Sequence, residues 1–129
     1  MSKSLFWMLD KLGSTRLSQH FYMRQFLYSE IAEAYGIQNT PDDIDLAIET
    51  GTLLCERVLE PIVEAFGPII IRPGYRSPIL NDFGYKNRLM CGSNADNLAY
   101  HIWDRRNEDG YKGAAACIVV PGIKQHETE

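Results

Sequence analysis

Residues 40–68 constrain this chain more than any other stretch. Ile44, Ala47, Ile48, Leu54, Cys55, Val58, Ile62 and Phe66 recur at helical spacing, an apolar stripe about 25 residues long that needs a core to cover it. Thr40 is placed to cap the start, Pro41 suits the first helical position, and Asp42 and Asp43 complement the positive end of the helix. Gly67-Pro68 stops it, and Gly51 and Pro61 interrupt it, so the spacing predicts a long helix bent near one of them.

The flanking segments complete a one-domain pattern. Upstream, Phe26, Leu27, Ile31 and Ala34 predict a helix over 24–35, ended by Gly36 in the left-handed conformation. Residues 1–16 read as an N-terminal extension with at most a short helix, ahead of a domain over 17–129. Downstream, Ile69-Ile70-Ile71 predicts a buried strand, and two prolines and a glycine make 72–78 a loop. Residues 81–97 read as mostly loop with a short helix. Residues 114–120 predict a last strand, ended by Pro121-Gly122. Helices first and strands later indicate an α+β domain, with N-terminal helices packed on a small antiparallel sheet.

Charge and composition narrow the function classes. With 129 residues, a net charge of −4 and a pI near 5.3, the surface would not attract nucleic acid or anionic membrane. No stretch nears the roughly 18 apolar residues of a membrane span. The N-terminal apolar run stops at Asp10-Lys11 with no small-residue cleavage site after it, so the expectation is a cytoplasmic protein. Cys55, Cys91 and Cys117 are odd in number and unpaired in spacing, which fits a reducing compartment rather than a disulfide framework. No phosphate-binding glycine loop, Gly-X-Ser-X-Gly elbow or Cys-X-X-Cys pair is present.

Four ordered segments carry a family likeness. They are Leu17-Ser18-Gln19-His20-Phe21 with Phe26 and Ser29, then Gly36-Ile37-Gln38-Asn39-Thr40-Pro41, then Val58-Leu59-Glu60-Pro61 with Phe66-Gly67-Pro68-Ile69, and finally Gly74-Tyr75-Arg76-Ser77-Pro78 with Leu80-Asn81. Together they resemble the zinc D-alanyl-D-alanine carboxypeptidases. The resemblance implies a Hedgehog/DD-peptidase fold, a zinc ion, and peptidoglycan-like peptides ending in D-alanine as substrate, with a phage lysis system as one route to the cell wall. It makes His101 the first metal ligand and sets Cys117 where the family has an aspartate. Arg76 would face the site as the catalytic cation for a carboxylate or oxyanion, with Tyr75 and Ser77 beside it in substrate binding. Asp104, three residues after His101 and on its face if the segment is helical, is a rival ligand.

The chain also departs from that pattern. Residues 103–112 are an extra polar insertion, and the family's final Glu-X-Trp-His is replaced by a chain end carrying His126-Glu127. Two functional classes follow: a zinc peptidase, or a binding module that keeps the fold without hydrolysis. A sheet lacking its last strands would expose an edge and favour a homo-oligomer. Each candidate also has a plainer role. Cys117 in Ala-Ala-Ala-Cys-Ile-Val-Val suits a small buried hydrophobe, Asp104 a solvated charge beside Arg105 and Arg106, and His20 a structural hydrogen bond. Tyr75, Tyr85, Tyr100, Tyr111 and Trp103 suit packing better than a groove.

Overall fold

The computed structural model describes residues 3–122, with side chains from residue 7 onward. In chain order these residues form α1 (Lys3–Gly13), α2 (Arg24–Leu27), α3 (Glu30–Tyr35), α4 (Ile44–Leu54), a π turn (Cys55–Leu59), α5 (Glu60–Phe66), β1 (Ile70–Ile71), α6 (Pro78–Lys86), α7 (Asn94–Asn97) and β2 (Ile118–Val119). β1 and β2 pair antiparallel, Ile70 with Val119 and Ile71 with Ile118, so the α+β class holds. No helix among the described residues is long and apolar enough to cross a membrane.

The long stripe runs continuously from Ile44 to Phe66, with two corrections to the sequence expectation. Asp43, not Thr40, caps α4, its side chain accepting from the Leu46 amide. The irregularity falls at neither Gly51 nor Pro61 but just before the proline, in the π turn, where the Glu60 amide reaches back to the Cys55 carbonyl. Pro61 has no N–H and its ring crowds the preceding turn, and one widened turn relieves both. Gly51 stays within α4, and Trp103 lies on it; a Cβ there would sit 2.7 Å from the indole ring.

Residues 24–35 form two helices rather than one. Tyr28 and Ser29 are extended, and Ser29 caps α3 by accepting from the Ala32 amide. Gly36 ends α3 at φ 66°, as the sequence predicts. The segment 81–97 is more helical than expected, since α6 begins at Pro78 under a Ser77 cap. The first strand is not buried: Ile70 is 51% exposed.

Leu12, Leu17, Phe21, Met23, Phe26, Ala47, Cys55, Leu59, Tyr75 and Trp103 make the core. Phe26 and Trp103 stack at 5.3 Å between ring centroids, and Tyr75 meets Trp103 edge-on at 6.0 Å. Leu12, on α1, packs in that same core. His20 does take a structural bond: its Nδ1 lies 2.6 Å from Glu60 Oε1 and its amide 2.8 Å from Oε2. Burial pushes the Glu60 carboxyl up, but hydrogen bonds from Ser18 and His20 outweigh it and hold the group below its ordinary range.

Candidate functional site

β1 continues past Ile71 as an extended loop held on both sides. The Arg72 amide donates to the Cys117 carbonyl at 2.7 Å, and the Cys117 amide to the Pro73 carbonyl at 2.8 Å. Further on, the Tyr75 amide donates to Phe26 O at 2.9 Å and the Arg76 amide to His101 O at 2.8 Å. Only glycine fits at position 74, because a Cβ there would lie 2.9 Å from the Phe26 backbone. This strapped loop forms one wall of a cleft of about 510 Å³, lined by residues 28–31, 71–76 and 89–90.

Arg76 is the electrostatic oddity of the cleft. Its residue is only 9% exposed, yet its sole side-chain hydrogen bond among the described residues runs from Nη1 to Cys91 Sγ at 2.9 Å. Its Nε is buried without any acceptor. No carboxylate pairs with it, although five other ion pairs form among the described residues. A buried cation without a counter-charge is costly, and such groups concentrate where a ligand completes them.

His101 sits behind Gly74, whose carbonyl lies 2.8 Å from Nδ1. A carbonyl only accepts, so Nδ1 carries the proton, and the Nε2 lone pair has no partner among the described residues. Burial lowers the imidazole below its ordinary value; the Gly74 bond opposes this and nearby Arg76 adds to it.

The other candidates separate from this pair. Asp104 is neither solvated nor on a helical face with His101. It is buried, with Oδ1 accepting from the Tyr75 hydroxyl at 3.0 Å and Oδ2 from the amides of Asp42 and Asp43 at 2.8 and 3.1 Å and from Arg105 at 3.2 Å. It therefore anchors the lead-in to α4, with its acceptor sites occupied. Tyr75 turns its ring into the core and donates to Asp104, so only its backbone borders the cleft. Burial first, then the Asp104 charge, raises its phenol above the ordinary value.

The Ser77 hydroxyl caps α6 by accepting from the Leu80 amide, while its own amide donates to Asn39 Oδ1 at 2.7 Å. Cys117, just before β2, is exposed rather than a buried hydrophobe. His126 lies outside the described residues. Of the aromatics, Trp103 is core, whereas Tyr85, Tyr100 and Tyr111 are exposed and border no part of the cleft.

Two positioning residues escaped the sequence reading. Asn39 ties the Leu27 and Tyr75 carbonyls and the Ser77 amide into one crossing point. Asn81, fully buried, holds the Gly92 carbonyl and the side chains of Asn94 and Asn97, fixing the far end of the segment that carries Cys91. Both residues stand inside the family-like segments, the one sequence signal that pointed to them.

A catalytic zinc needs three protein ligands and an open position. Among the described residues no three His, Cys, Asp or Glu side chains gather into such a set, and Asp104 is committed elsewhere. No family model, curated protein or solved structure matches the chain.

Proposed function

We propose that this chain is a DD-peptidase-like domain that receives peptidoglycan-type peptides by their terminal carboxylate in the cleft beside Arg76. The observation that carries this reading is the buried, unpaired guanidinium on the wall of a peptide-sized groove. A planar fork of donors suits a carboxylate, and in a partly dehydrated cleft the attraction is strong enough to orient a peptide. The order of the four family-like segments supplies the peptide class. The function has two forms, binding alone and binding with hydrolysis, which the assay below separates.

The hydrolytic reading rests on one observation, the His101 ring. Its Nδ1 is fixed by Gly74 and its burial favours the neutral form, the state in which Nε2 can take a proton.

Calorimetric titration with diacetyl-L-lysyl-D-alanyl-D-alanine, against the same peptide as its C-terminal amide, tests the carboxylate site. The acid should bind roughly tenfold or more tightly than the amide, the worth of one charge-assisted hydrogen bond. Equal affinity for acid and amide would defeat the proposal. D-alanine assayed in the same incubations with added zinc separates the two forms: release marks a peptidase, and binding without release marks a module.

A further inference from the structure

Arg76 directs its guanidinium at a thiol. Cys91 Sγ takes the Nη1 hydrogen bond at 2.9 Å, and the sulfur is pressed against α6, where a Cβ on Gly84 would lie 2.5 Å from it. Cys91 is partly exposed and directly follows Met90, a residue 98% exposed on the cleft rim. Its neighbours Arg88 and Met90 both hold left-handed backbone, at φ 56° and 63°. The independent sign that something is missing is Arg76 itself, nine-tenths buried with Nε lacking an acceptor. A guanidinium beside a sulfur donates hydrogen bonds to the oxygen that oxidation adds, and so holds the sulfenic form.

We propose that Cys91 is a reversible oxidation site whose sulfenic acid is held by Arg76. The Cys91 sulfur attacks one oxygen of a hydroperoxide. An S–O bond forms, the O–O bond breaks, and the thiol proton leaves with the second oxygen, as water when the oxidant is hydrogen peroxide. Sulfur is oxidised by two electrons and the peroxide is reduced by two. Two equivalents of a small thiol reverse the step, giving back the cysteine, a disulfide and water. The added oxygen is an acceptor beside the guanidinium that has only sulfur now. The other thiols lack this setting: Cys55 is buried, and Cys117 is exposed just before β2. A consequence rests on the carboxylate reading above. Once Arg76 is engaged by the oxidised sulfur, the peptide loses its anchor.

The test exposes the full chain to sub-stoichiometric hydrogen peroxide with dimedone, and mass spectrometry of its peptides reads each cysteine. Cys91 should trap dimedone about tenfold faster than the more exposed Cys117. Arg76→Met should bring Cys91 down to the Cys117 rate and leave Cys117 unchanged. Faster labelling of Cys117 in the parent, which needs no variant, would overturn the proposal, as would an Arg76→Met protein that labels Cys91 at the parental rate. Peptide titration then isolates the consequence. Affinity should fall at least tenfold on oxidation, return with dithiothreitol, and stay constant in Cys91→Ser. Labelled Cys91 with unchanged affinity would overturn the coupling to the cleft; no binding by the reduced protein would be a failure of the carboxylate reading alone.

Discussion

Two buried charges, 28 positions apart in sequence, have opposite surroundings. Asp104 accepts four hydrogen bonds, from a phenol, two backbone amides and a guanidinium. Arg76 has one side-chain bond, to sulfur, and an orphaned Nε. Asp104 ties the start of α4 to the core through Tyr75, so its polar capacity is used up by the fold. Arg76 stands on a cleft wall with capacity to spare. On the reading proposed above, the saturated charge serves stability and the unsaturated one awaits a ligand.

The largest effect should come from removing the saturated charge. Asp104→Ala leaves two amides and a buried hydroxyl without an acceptor and should cost about 3–5 kcal/mol in urea unfolding. A loss under about 1 kcal/mol would erase the contrast with Arg76. Gly51→Ala, which drives a methyl into Trp103, should cost about 1–3 kcal/mol by the same assay, because the indole is pinned by its bond to Ala115 O.

His101, behind Gly74, gives a smaller, pH-dependent effect. Its folded pKa is depressed below the ordinary 6.5, so the unfolded chain binds the proton first as pH falls. The stability it contributes is complete above pH 6.5 and is lost as pH drops below that value toward the folded pKa. His101→Gln should flatten that slope as pH falls below the ordinary value of 6.5. Glu60, also depressed, acts in the same direction but below its ordinary 4.5, so the two windows separate. A slope identical in parent and variant would contradict a buried neutral imidazole.

Arg76→Met should have the smallest effect on stability, within about 1 kcal/mol of the parent, since it replaces an unpaired buried cation with an apolar chain of similar length. A loss as large as that of Asp104→Ala would make Arg76 another structural charge.

Periodicity made the long helix legible in sequence, Gly67-Pro68 marked its end and Gly36 that of α3, because these are local signals. The break at Tyr28-Ser29 was not legible, since one Ser cap among helix-forming residues is a weak local cue outvoted by the pattern around it. The π turn was signalled by Pro61, but its form depends on how the preceding turn relaxes. Asp104 was misread for a different reason. Its partners Asp42, Asp43 and Tyr75 stand 29 to 62 positions away, and beside Arg105-Arg106 it looks like surface charge. The family-like segments singled out Arg76, and the resemblance singled out His101; the structure sets Arg76 on the cleft wall and His101 behind Gly74. Cys91 was not, because nothing in its own neighbourhood names Arg76 as its partner. Cys117 was taken for core by its apolar neighbours, but just before β2 it is exposed.

The central claim is that Arg76 is held unpaired for a ligand's carboxylate. Thermal melts of the parent and Arg76→Met, each with and without saturating diacetyl-L-lysyl-D-alanyl-D-alanine, test it directly. A peptide-dependent rise in the parent Tm, absent from an equally folded Arg76→Met, is the predicted result. The same rise in both proteins, or none in the parent, would contradict it.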